Sequence, residues 1–224
     1  MNKRAAFAEF VPAPSLTDRA YADLEELIIT MKLAPGSPVS ESDLSSWLGI
    51  GRTPIREALH RLARERLVTI LPRRGIIVSD INVTNQLLLI EVRRELERLI
   101  ARSAARRADD NERAQFLDLA ARFGQASKVN DDIDFMRVDR EFNLLCSSAS
   151  HNEFAGGAMS LIHALSRRFW YAYYKVAADM PLTAALHGNI ARHIAAGDVE
   201  LAGKASDKLL DAIEKFTRNV VDRA

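Results

Sequence analysis

The sequence predicts a mainly α-helical chain in two parts: three short helices closed by a basic-tipped β-hairpin, then an antiparallel bundle of helices alone. Three observations carry this. Apolar residues recur at helical spacing along most of the 224 residues. The one switch to extended, β-branched runs falls at "LVTIL" and "IIVS", on either side of a Pro/Gly turn. Beyond it the polar breaks between periodic segments are short, as antiparallel neighbours require.

With 48% hydrophobic and 27% charged residues, the chain can bury one large core or two modest ones. No run of about twenty apolar residues occurs, and "MNKRAAFAEFVPAPS" lacks a secretory pattern, so a cytoplasmic protein without a membrane partner is expected. The single cysteine, Cys146, cannot form an internal disulfide, and no Cys/His spacing suits a zinc finger.

The elements follow in order. Residues 1–15, with Pro12 and Pro14, read as a flexible N-terminus. "LTDRAYADLEELIITMKL" sets Leu16, Ala20, Leu24, Leu27, Ile28 and Met31 at helical spacing, and "APGSPVS" ends it. In "SESDLSSWLG", Ser40 and Asp43 have capping-box spacing; Leu44, Trp47 and Leu48 form an apolar face, and Gly49 is the stop. "GRTPIREALHRLARERL" makes a third helix with Thr53 as N-cap and Pro54 at the first helical position. Its Ile55, Ala58, Leu59 and Leu62 share one face, leaving Arg52, Thr53, Arg56 and His60 at the front and on the other side. The hairpin then carries Arg73 and Arg74 at its tip. Three helices, a tight "GIG" turn and a basic wing form a winged helix-turn-helix over residues 16–82. Helices at roughly 84–108, 110–126, 130–149, 153–178, 182–197 and 198–221 fill residues 83–224, an all-helical domain.

Net charge is only +1, yet seven arginines face two acids between Arg52 and Arg74, whereas from Ile81 onward 20 cations balance 20 anions. The positive charge is focused where a groove reader needs it. Arg52 and Arg56 stand about one turn apart and suit guanine edges or phosphates; Thr53 suits a phosphate or a thymine methyl. Arg73, Arg74 and Gly75 suit the minor groove or the backbone. The plain alternative is a set of solvated arginines that serve solubility.

The stretch "LAPGSPVSESDLSSWLGIGRTPIREALHRLARERLVTILPRRGIIVSDI" closely resembles the DNA-binding domain of the GntR family of bacterial transcription regulators, through its "APG" break, its "LG-x-x-RTP-x-REAL-x-RL" core and its "RRG" wing. The resemblance implies DNA contacts at Arg52, Thr53, Arg56 and the wing around Gly75. Gly51 departs from the pattern, since members usually carry Ser or Thr there. The second part, with "EVRRELERLIARSAARRA" and "HGNIARHIAAGDVELA", resembles the FCD domain of the FadR-type subgroup. That resemblance implies a small carboxylate effector and, in many members, a divalent metal held by one Asp and three His. Matched residue by residue, it puts Asp139 at the carboxylate, Asn143 at the first histidine, His187 at the second and Leu209 at the third. Two good ligands and a weak amide do not make a transition-metal site, so no metal cofactor is expected.

Met136, Asp139, Asn143 and Cys146 recur on one helical stripe, and His187, Ile190 and Ile194 on another, so Asp139 and His187 should be buried and partnered. They are either core polar residues satisfied by each other or the floor of a ligand pocket. Arg93 lies where members often place a carboxylate-binding arginine. His163, Arg167, Trp170 and Tyr174 share a helix face and complete the candidate lining, though an aromatic stripe also suits a plain core.

The expected function is a DNA-binding transcription regulator, a repressor that reads a palindromic operator on double-stranded DNA as a homodimer and responds to a small carboxylate in its helical bundle. The alternative is a DNA-binding dimer whose helical domain is structural or binds a protein. An enzyme is not expected, because Cys146 has no paired base and no Gly-rich phosphate loop follows a strand.

Overall fold

The computed structural model describes residues 14–222 apart from 130 and 178, so the flexibility expected of the N-terminus lies, up to residue 13, outside the described residues. Helix α1 (Leu16–Ile29) starts where the Ser15 side chain accepts a hydrogen bond from the Asp18 N–H. It stops short of the predicted Leu33 because Met31 takes φ 59° and the Leu33 N–H turns back to the Leu27 carbonyl. A short strand β1 (Pro38–Val39) and helix α2 (Glu41–Leu48) follow, the latter capped by Ser40 and ended by Gly49 at φ 64°. Trp47 does not join the apolar face of α2: it is 57% exposed, and Leu44 alone of that helix is buried.

Helix α3 (Arg52–Arg64) buries Ile55, Ala58, Leu59 and Leu62, as its periodicity predicts, against Ala20, Leu24 and Ile28 of α1. Its N-cap is Gly51, not Thr53, and no side chain caps it. The first helical bond is donated by the Ile55 N–H to the Gly51 carbonyl, so Pro54 sits at the last position of the first turn whose N–H has nothing to bond, and costs nothing there. Strands β2 (Val68–Leu71) and β3 (Gly75–Val78) form the expected hairpin, and β1 adds to β3 on its other side, giving the antiparallel order β1-β3-β2. A two-residue strand beginning with proline leaves no periodicity to read, which is why it escaped the sequence.

The rest is helical: α4 (Val83–Arg107), α5 (Asp110–Val129), α6 (Asp132–Ala149), α7 (Glu153–Ser160), α8 (His163–Ala177), α9 (Met180–Ala195) and α10 (Val199–Val221). The single helix expected over 153–178 is two, broken where Leu161 caps α7 and the Ile162 N–H bonds the Met159 carbonyl. The break frees α8 from the line of α7, and α8 then touches α1 as well as α4, α6, α7 and α10. Helix α4 packs along α10 and α5 along α9, and Phe116, Phe123, Phe135 and Phe142 fill the interior. Among the described residues no helix is long and apolar enough to cross a membrane.

Candidate functional site

Two sites emerge, one on the surface of the winged part and one inside the bundle. On the surface, Arg52, Thr53 and Arg56 are exposed in the first turns of α3. The three free N–H groups of that turn and the helix dipole make it a natural seat for a phosphate. Arg56 is held by a forked pair with Glu41 of α2, Nε to Oε1 at 2.8 Å and Nη2 to Oε2 at 2.7 Å. This pair is exposed and screened by water, so a base edge or phosphate competes with Glu41 on favourable terms. The wing turns tightly, the Arg74 N–H bonding the Leu71 carbonyl at 3.0 Å. Arg73 has φ 62° and Gly75 φ 103°, the latter a conformation only glycine adopts without strain. Both arginines and Gly75 are exposed at the tip.

Inside the bundle, Arg93, Asp139, Asn143, His163, Arg167 and His187, drawn from α4, α6, α8 and α9, all line one cavity of about 40 Å³. Trp170 lines it too, but Tyr174 does not: it stacks on Trp170 with centroids 4.6 Å apart and donates its hydroxyl to Asp132. Sequence reasoning missed Gln86, Ser166 and Thr183, which complete the polar lining; Gln86 Nε2 donates to Ser166 Oγ at 3.4 Å. The only local signal was their place on otherwise apolar helix faces.

Asp139 is the hub. Its Oδ1 lies 3.1 Å from His187 Nε2, its Oδ2 3.1 Å from Arg167 Nε, and the Asn143 amide donates to Oδ2 at 3.2 Å. Burial alone would raise its carboxyl, but the His187 hydrogen bond and the charges of His187 and Arg167 bring it below the usual carboxylate range. His187 Nδ1 faces the Thr183 carbonyl at 2.8 Å, and Phe123 stacks on the ring. Arg93 spends only its Nε, on Glu97 at 2.6 Å; its two Nη nitrogens have no hydrogen-bond partner among the described residues. Arg167 donates Nη2 to the Met136 carbonyl at 2.8 Å, while its buried Nε, although close to Asp139, lacks the alignment of a hydrogen bond. Two guanidiniums therefore bring unspent N–H groups to one small polar cavity.

Burial pushes the His163 imidazole down to about 4, with Arg93 and Arg167 acting the same way and Glu97 and Asp139 opposing. The unfolded ring titrates near 6.5, so between pH 6.5 and 4 the unfolded chain binds a proton that the folded one refuses. The contribution is complete above 6.5 and is lost as the pH falls. Urea unfolding should show a stability about 2 kcal/mol lower at pH 5 than at pH 7, and His163→Asn should flatten that part of the profile.

Residues 16–78 match the family described as bacterial regulatory proteins, gntR family, and residues 88–212, more than half of the chain, match the FCD domain. The chain belongs to the GntR family of bacterial regulators. This GntR regulator is 23% identical over 209 residues to the transcriptional repressor RspR of Escherichia coli K12, covering 93% of this chain and 92% of RspR. It is 27% identical over 146 residues to the Nta operon transcriptional regulator of Aminobacter aminovorans, covering 65% and 68% of the two chains. Its fold matches the solved structure of E. coli McbR/YncC with a TM-score of 0.75 at 20% identity, over 94% of this chain and 97% of that one. It is a transcription regulator with a DNA-binding winged helix-turn-helix and an FCD domain, not an enzyme.

Proposed function

We propose that this regulator is a repressor that grips a palindromic operator as a homodimer and lets go when a small carboxylate enters the bundle cavity. The observation that carries this reading is the pair of guanidiniums at one small cavity, Arg93 with both Nη nitrogens unpartnered among the described residues and Arg167 with its Nε unbonded. A carboxylate matches the fork of the two idle Arg93 Nη nitrogens, beside the positive charge of Arg167. Dimerisation follows from recognition geometry, because one winged helix reads one half-site. Repression is supported by the likeness to RspR. A chain of this kind works beside DNA in the cytoplasm.

A divalent metal suits this cavity poorly. Asp139 and His187 are two strong donors, Asn143 offers only a weak amide oxygen, and Leu209 is a buried aliphatic side chain. The Arg167 guanidinium, 3.1 Å from the same carboxylate, supplies the positive charge that a metal would bring and repels a second cation.

The cavity volume of about 40 Å³ has room for about three waters. This favours a compact carboxylate, and it is also the observation that favours the second reading, a helical domain that is structural or binds a protein. A thermal-shift screen separates them. A carboxylate bound only by the folded state raises stability by about 2.7 kcal/mol at a hundred times its Kd, whereas the matching uncharged amides should leave the melting temperature unchanged. Protein purified without chelator should carry well under about one equivalent of Zn, Ni or Mn. A screen in which no acid differs from its amide supports the structural reading.

A further inference from the structure

Arg167 has two sides. One faces the cavity; the other reaches out of the bundle to the winged part, Nη1 lying 3.4 Å from Glu25 Oε1 on α1. A second cleft of about 200 Å³, between α1 and α6, shares Arg167 and Met136 with the cavity, so this side chain is the wall between them. Glu25 is 5% exposed and takes a further bond from Arg140 Nε at 2.5 Å. It is also the start of a chain of contacts into the recognition helix. The Tyr21 hydroxyl lies between two buried carboxylates, 2.6 Å from Glu65 Oε2 and 3.3 Å from Glu25 Oε1. Glu65 is the C-cap residue of α3. Arg61, in the last turn of α3, bonds Glu65 through Nε at 3.4 Å and lies 3.7 Å over the Tyr21 ring.

The decisive feature is that a phenol has one proton to donate and two acceptors here. In the structure it serves Glu65, tying the end of α3 to α1, while Arg140 and Arg167 together satisfy Glu25. Taking Arg167 away leaves Arg140 on Glu25 Oε2 but no cation on the buried Oε1, whose nearest donor is then the Tyr21 hydroxyl. Rotation of that O–H toward Glu25 leaves Glu65 without it. This is a local element with two discrete arrangements, which is what transmission between separated sites requires.

We infer that Arg167 and Tyr21 form a relay in which a carboxylate that captures the Arg167 guanidinium in the cavity releases Glu25, and Glu25 then draws the Tyr21 hydroxyl from Glu65 and loosens the end of the recognition helix. The inference rests on the carboxylate reading of the cavity and adds the route by which occupancy reaches the DNA-reading surface. Neighbouring contacts between the two parts, such as Arg137 with Glu26 at 2.8 Å, lie outside the relay.

The test uses the full chain carrying Trp47→Phe, which removes the exposed tryptophan and leaves Trp170, at the cavity, as the only one. Acetate and pyruvate are titrated in turn; Trp170 emission reports occupancy and amide hydrogen exchange over residues 61–67 reports the end of α3. The expected result is an emission change together with exchange faster by about five- to tenfold. Adding Tyr21→Phe should keep the emission change while exchange, already fast, no longer responds; Glu26→Gln should respond as its parent does. An emission change with no change in exchange, or an unaltered response in Tyr21→Phe, overturns the relay and leaves the cavity reading standing. No emission change with either acid overturns both.

Discussion

Replacing Arg52 and Arg56 together with alanine should weaken operator binding by about 2–6 kcal/mol, on the basis of about 1–3 kcal/mol for each bidentate base contact. The two side chains stand on the exposed front of α3, and neither contributes to the core that Ile55, Ala58, Leu59 and Leu62 form behind them. Folding should therefore survive: the pair that Arg56 makes with Glu41 is exposed, and its loss should leave stability nearly unchanged. Mobility-shift titrations at fixed salt on duplexes selected by the protein itself would measure the effect. The wing changes Arg73→Ala and Arg74→Ala should instead weaken binding to all duplexes alike and flatten its salt dependence, as expected of backbone contacts. Unaltered affinity in the Arg52/Arg56 double variant would remove α3 from the groove.

Arg167→Met should lower the stability of the folded chain by about 3–5 kcal/mol, because it takes the shared cation from two buried carboxylates. Methionine keeps most of the volume, so the loss reports charge rather than packing. Asp139 would retain His187, and Glu25 would retain Arg140, each with one positive neighbour fewer. Adding Asp139→Asn should recover a large part of the loss, since the unpaired charge then disappears with its partner. Urea unfolding of both variants gives the comparison; a loss within about 0.5 kcal/mol for Arg167→Met would mean that the bridge carries no net stability.

Local rules made much of this molecule legible in its residues. The α3 stripe, the Ser40 cap, the Gly49 stop and the hairpin around "PRRG" each depend on a few neighbours in sequence, and each stands where periodicity and turn chemistry put it. Six of the polar residues of the cavity were legible on four helices, but their meeting at Asp139 depends on helix packing that no single stripe encodes. Elements failed where competing rules were close in strength. Proline is free anywhere in a first turn, so Pro54 did not fix the N-cap, and the helical pattern of 153–178 runs on through the break at Leu161. Glu25 was overlooked for another reason. Tyr21, Leu24, Glu25 and Ile28 form an i, i+3, i+4, i+7 stripe, and an acid on such a stripe is the visible sign of a buried partner; which arginine answers it is a tertiary fact.

Ligand in the cavity and DNA on α3 are coupled through the relay, and operator affinity with and without ligand measures that coupling. The carboxylate giving the largest thermal shift would be added at saturation to the protein on its selected operator, at one salt concentration. Binding should be weaker by at least about fivefold, with no effect from the matching amide. An affinity that stays the same while the carboxylate is demonstrably bound would contradict that coupling.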